Sequence, residues 1–175
     1  MDGETSTMRL ASHTIGTFLA NAASTEPAPG AGSSGALALA LGIACARKAM
    51  AFSLQHHPDR PRLGAVEAHF GGLAEQALAG AEADMQCFTA YIAARRRGPD
   101  DEAGREAQRD AVADLLAVGE NLVAIADEAR GLIEEIREFV IPMMANDIAA
   151  ALSLIAAARA IHLACVEESR STTGD

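Results

Sequence analysis

Helical periodicity dominates the pattern of apolar and polar positions along this chain. Ser6 or Thr7 can N-cap a first helix whose apolar face is Met8, Ala11, Ile15, Phe18 and Ala22. The stretch from Ser24 to Ser34 carries two Pro and two Gly within a few polar residues and cannot continue that helix. A second helix is predicted from about Gly35 to Gln55. It is apolar on most sides (Leu37, Leu39, Leu41, Ile43, Cys45, Met50, Phe52, Leu54), which predicts the central, all-round buried helix. His56-His57-Pro58-Asp59-Arg60-Pro61 reads as a turn. A third helix runs from about Arg62 to Arg96, with Val66, Leu73, Gly80 and Cys87 on one seven-spaced line and Phe70, Ala77, Asp84 and Tyr91 on another. Arg95 to Asp101 is a loop. From Glu102 to Val140 apolar residues recur at Val112, Leu115, Leu122, Ala126, Ala129, Ile133, Ile136 and Val140, with a bend expected at Gly119 and a stop at Pro142. A last helix is predicted from Asn146 to Glu168, with residues 169–175 as a frayed tail.

The predicted fold is therefore all-α: a single domain, residues 1–175, of five to six long helices with no internal repeat. Composition agrees. Of 175 residues 40 are Ala, only 3% are aromatic and there is no Trp. Sheets draw on aromatic and β-branched residues, whereas Ala-rich seams let helices approach closely. A bundle this small leaves part of its apolar second helix uncovered, which points to a homodimer.

Net charge is −10, with 13 Arg and a single Lys. Nucleic acids and anionic membranes are engaged first through phosphate neutralisation, so neither is an expected partner. Cys45, Cys87 and Cys165 have no CxxC spacing and lie in apolar stretches, as reduced core thiols of a cytoplasmic protein would. The start of the chain is polar and acidic, so no signal peptide is expected. The longest apolar run, Gly35 to Ala46, is about 12 residues, whereas a membrane span needs about 20.

Few residues offer chemistry. No ExxH pair or HExxH motif is present, and His13, His69 and His162 fall on separate helices as surface or satisfied core residues, so no metal site is expected. Asp84 shares its heptad line with Phe70, Ala77 and Tyr91, and Phe88 follows one turn later. That placement aims a carboxylate at the apolar seam, where burial raises its pKa into the range useful for acid–base work. An Arg-paired structural carboxylate fits the same spacing. Lys48 lies beside Arg47 inside the most apolar helix, either snorkelling to a rim or meeting an anion. Asn146-Asp147 reads first as a helix cap. The Pro27-Ala-Pro-Gly-Ala-Gly-Ser33 segment is the strongest local signal: exposed backbone N–H groups just before a helix N-terminus suit either a ligand cradle or a plain turn.

Phe18-Leu19, Ala22 and the run PAPGAGSSGALALALGIA together resemble the signature of the formiminotransferase-cyclodeaminase C-terminal family, which includes methenyltetrahydrofolate cyclohydrolases. Asp84-Met-Gln-Cys87-Phe88 and Asn146-Asp147-Ile-Ala-Ala-Ala-Leu152 are similar to two further family elements, in the same order. The resemblance spans roughly residues 14–165. It implies a dimeric all-α bundle with a folate cleft, needing no cofactor because a tetrahydrofolate derivative is the substrate. It also implies Asp84 as the proton-transfer group and Pro29, Gly30, Gly32 and Ser33 as substrate contacts. Asp147 would hold the pterin or the loop, and Arg47, Lys48 or Arg95–Arg97 would meet the glutamate tail. The activity implied is cyclohydrolase-like, since no transferase domain accompanies it; the alternative is a non-catalytic relative that keeps the cleft or serves as a helical interaction module. The sequence departs from the family pattern at Ala31, at Leu54-Gln-His-His-Pro58 and at His162-Leu-Ala-Cys-Val166.

Overall fold

A computed structural model describes residues 10–98 and 102–172. After a short 3-10 turn at Leu10–Ser12 come five helices: α1 Ile15–Ala22, α2 Ala31–His56, α3 Pro61–Arg97, α4 Glu102–Ile136 and α5 Ala145–Thr172. Two 3-10 turns, Arg137–Phe139 and Pro142–Met144, join α4 to α5. The fold is the expected all-α bundle.

The long helices α2 to α5 form a ring in which each packs against its chain neighbours and α2 closes on α5. Short connections between successive helices make them antiparallel. One end of the bundle therefore gathers the start of α2, the end of α3, the start of α4 and the end of α5. Phe70, Leu73, Leu39, Ile43, Met50, Leu122, Ile133 and Ile155 fill the interior, and fully buried alanines (Ala36, Ala46, Ala77, Ala126, Ala158) bring the axes close.

Several expectations are corrected. Helix α2 is one of four corners rather than the centre, meeting α3 and α5 but hardly α4, and Leu41 on its outer face is 57% exposed. It also starts earlier than Gly35. Gly30 is its N-cap, and Ser33 one turn in accepts a 3.0 Å hydrogen bond from the Gly30 N–H, a cap that makes Ala31 to Ser34 helical. Helix α1 starts at Ile15, where the Thr14 hydroxyl oxygen accepts a 3.1 Å hydrogen bond from Thr17 N–H. The caps proposed at Ser6 or Thr7, and Met8 with them, lie outside the described residues. Of the face expected for α1, Phe18 is buried but Ile15 is 79% exposed, as is Leu19 beside it at 61%, so among the described residues that face is only partly covered. Helix α4 runs unbroken through Gly119, whose missing side chain makes room for Val166 of α5. Helix α5 extends to Thr172, so residues 169–172 are helical rather than frayed. Asp147 lies in its first turn rather than capping it.

Every seam carries an ion pair on its rim: Arg47–Glu67 at 2.6 Å between α2 and α3, Lys48–Asp147 at 3.2 Å between α2 and α5, Arg159–Asp127 at 2.6 Å between α4 and α5, and Arg62–Glu135 between α3 and α4. Exposed pairs contribute little stability, typically 0–1 kcal/mol each; their effect is to favour one helix register. By length and composition Ala31–His56 and Pro142–Thr172 could each cross a membrane, contrary to the expectation drawn from the longest apolar run. Here they are packed against one another in the bundle.

Candidate active site

The PAPG segment turns the chain so that the N-terminus of α2 ends against the side of α3. Pro29 is buried and Gly30 caps the helix. The Ser33 side chain, fully buried, is placed to donate to the Gly30 carbonyl at 3.2 Å or to the Asp84 carboxylate. Gly32 is the point of closest approach. A Cβ built there would stand 2.6 Å from Asp84 Cγ and 2.8 Å from Oδ2, distances no real side chain tolerates. Glycine at 32 therefore has a steric cause: it lets a carboxylate rest directly on the first turn of α2.

Two opposing effects act on that carboxylate. Burial among apolar neighbours penalises its charged form, while the Ser33 N–H and hydroxyl favour it. Burial wins, and the Asp84 pKa is raised above the usual carboxylate value. The helix N-terminus adds a favourable field for the anion. The result is an acid that can hold or release a proton closer to neutrality, at the wall of a cavity.

That cavity has a volume of about 230 Å³ and lies at the gathered end of the bundle. Gly30, Ala31 and Gly32 of α2 form one side; Asp84, Phe88 and Tyr91 of α3 another; Val112 and Leu115 of α4 a third. Cys165, Glu168, Ser169 and Thr172 complete it from α5. The Phe88 and Tyr91 rings stand 6.0 Å apart, tilted by 42°. The lining is mostly apolar with a few convergent polar groups, the usual character of a small-molecule site. Burial, then the Asp84 and Glu168 charges, push the Cys165 thiol upward. A second hollow adjoins it across Tyr91, Val112 and Thr172, adding Arg95, Gln108 and Arg109. Arg95 lies over the Tyr91 ring at 5.8 Å and donates to its hydroxyl at 3.3 Å.

The sequence profile of the formiminotransferase-cyclodeaminase family matches residues 14–168. The chain belongs to that family. Among solved structures it is similar to the crystal structure of formiminotetrahydrofolate cyclodeaminase from Thermotoga maritima, with a TM-score of 0.84 and 18% identity, covering 93% of this chain and 80% of that one. At that identity the likeness establishes a shared bundle. No curated protein sequence matches the chain.

The expected site residues separate into two groups. Gly30 and Gly32 meet Asp84 at one cavity, with Ser33 and Pro29 supporting them from beneath. Lys48 and Asp147 do not join them. They pair with each other at 3.2 Å, and Lys48 is sixteen residues along α2 from Gly32, about 24 Å at 1.5 Å per residue. Arg47 likewise turns away, to Glu67 at 2.6 Å. Of the basic tail cluster, Arg95 reaches the neighbouring hollow.

Other lining residues were not anticipated. Glu168, Ser169 and Thr172 fell at the edge of the supposed tail, although their spacing from Cys165 (i+3, i+4, i+7) marks one helix face. The three cysteines are free and half-buried; Cys45 packs against the core as expected, while Cys165 lines the cavity. His162 is 1% exposed and its Nε2 has no hydrogen-bond partner among the described residues, so it is not the satisfied core residue expected. It lies against Gly35 of α2, and burial pushes its pKa down to about 4.

Proposed function

We propose that this chain is a folate one-carbon enzyme that hydrolyses the methenyl bridge of methenyltetrahydrofolate. One observation carries the reading: a half-buried carboxyl with a raised pKa rests on the Gly30–Ser33 turn and faces an aromatic-walled cavity. The family match and the folate substrate named for the Thermotoga maritima protein support the ligand class.

In this mechanism the pterin lies against Phe88 and Tyr91, with the Gly30 and Gly32 backbone fixing its polar edge and the buried Ser33 holding Asp84 and the turn in place. The methenyl carbon is an electrophilic amidinium. Water adds to it and Asp84 accepts the proton, giving a tetrahedral carbinolamine. Collapse returns that proton to the departing ring nitrogen. One C–N bond breaks, and the carbinol loses its proton to leave a formyl amide. Arg95, with Arg109 beside it in the adjoining hollow, holds the anionic glutamate tail. No cofactor enters. The same reading makes the protein a cytoplasmic homodimer, with the exposed Ile15, Leu19 and Leu41 as the apolar surface to be covered.

A second reading, a non-catalytic relative that keeps the cleft, is favoured by the departure from the family pattern at Ala31, which itself lines the cavity. Of the other two departures, Leu54 to Pro58 falls at the opposite end of α2 from Gly32, away from the lining, whereas His162 to Val166 brings Cys165 to the cavity wall. The loss of methenyltetrahydrofolate absorbance separates the two. The enzyme reading expects hydrolysis well above the buffer rate, abolished by Asp84→Asn and by Gly32→Ala. Folate binding with hydrolysis at the buffer rate selects the second reading, and no folate binding rejects both.

A further inference from the structure

With Arg95 and Arg109 lying in the adjoining hollow, the charge lining the cavity itself is one-sided. Asp84 and Glu168 face it from α3 and α5, and neither Arg nor Lys is among its lining residues. Glu168 lies one turn beyond Cys165 on the same face of α5, and both carboxylates act on that thiol. Asp84 is engaged by Ser33. Glu168, by contrast, forms no ion pair among the described residues; its neighbour Arg170 turns instead to Glu120 at 2.6 Å. An aromatic face, here that of Phe88, also attracts cations, the Tyr91 ring being already approached by Arg95. A neutral ligand gains nothing from this arrangement, and an anionic group is repelled.

We infer that Glu168 is a specificity-determining residue of this pocket, selecting with Asp84 a planar delocalised cation, an amidinium, over a neutral ligand of the same shape. Naming methenyltetrahydrofolate as that cation rests on the folate reading above; the carboxylate pair does not. The consequence for the reaction is directional. The amidinium charge disappears on hydrolysis, so the pocket favours substrate over the formyl product, whose one-carbon unit is uncharged, while Asp84 handles the proton.

Glu168→Gln keeps size and lies on an exposed helix face, so circular dichroism and melting should match the parent protein. Calorimetric titration then compares two pairs of probes: benzamidine with its neutral isostere benzamide, and methenyltetrahydrofolate with a formyltetrahydrofolate. The expected result is a preference for the cation in each pair that falls about fivefold in Glu168→Gln, the size of one partly solvated charge contact, with neutral probes unaffected. Added salt should weaken the preference. A preference unchanged by the substitution overturns the inference while leaving the folate reading in place. A Glu168-dependent preference for benzamidine with no binding of either folate upholds it and overturns the folate reading. No preference for benzamidine and no folate binding overturns both.

Discussion

Asp84 and His162 are opposite cases of a titratable group taken out of water. For Asp84 burial raises the pKa, so folding favours the protonated form. Above the raised value the ionised carboxylate costs stability, and that cost vanishes once the pH falls below the ordinary carboxylate value near ~4. Asp84→Asn should therefore melt higher than the parent at pH 7, with the gap closing as the pH is lowered. A gap independent of pH would mean that burial is not the cause. His162 works the other way. Its folded pKa is pushed down to about 4, whereas an unfolded His takes up its proton near ~6.5. Its share of stability is complete above that value and is lost as the pH falls between the two, by roughly 3 kcal/mol at 1.36 kcal/mol per unit. His162→Leu should flatten urea-unfolding stability across this window. At pH 7 it should cost little, because it also removes a buried polar atom without a partner among the described residues.

At the scale of elements, glycines divide by what stands opposite them. Gly119 admits Val166 Cγ2, which would lie 2.8 Å from an added Cβ, and Gly42 faces the Ala151 carbonyl and the Leu154 Cβ at 3.1 Å. Gly72, in the middle of α3, faces open space. Gly72→Ala should stabilise by about 0.5–1 kcal/mol, through helix propensity alone. Gly119→Ala should destabilise, because overpacking a seam costs about 1–3 kcal/mol and exceeds that gain. Denaturant midpoints of the two variants, measured side by side, check the sign of each. The same distinction explains why a bend at Gly119 was the wrong expectation. A helical glycine can mark a close crossing as easily as a weak point, and only the partner helix distinguishes them.

For the whole molecule, the four-helix ring leaves α1 largely outside the core. Ile15 and Leu19 are one turn apart on α1 and both exposed, and Leu41 is exposed on α2. The chain should sediment at twice its monomer mass at micromolar concentration. Leu19→Glu with Leu41→Glu should shift it toward the monomer without loss of helical circular dichroism. Sedimentation of the parent as a monomer would remove the dimer from the functional reading.

Much of the architecture was legible because helices declare themselves locally. The bounds of α3 were read to within a residue, about Arg62 to Arg96 against the observed Pro61–Arg97, although Arg95 to Arg97 were also assigned to the following loop, and Asp84 was aimed inward by its heptad line with Phe70 and Ala77. The likeness of PAPGAGSS to a family signature gave the ligand class its first support. Local pattern could not say which faces meet. Lys48 and Asp147 look like ligand groups in isolation but neutralise each other across the α2–α5 seam. Ser169 and Thr172 look like tail but line the cavity. His162 looks ordinary but is sealed against Gly35. Periodicity, caps and the small residues of the seams determined the helices, because they act within a few residues. The closing of α2 onto α5 decided which side chains share the pocket and which are left without partners, because burial depends on neighbours distant in the chain.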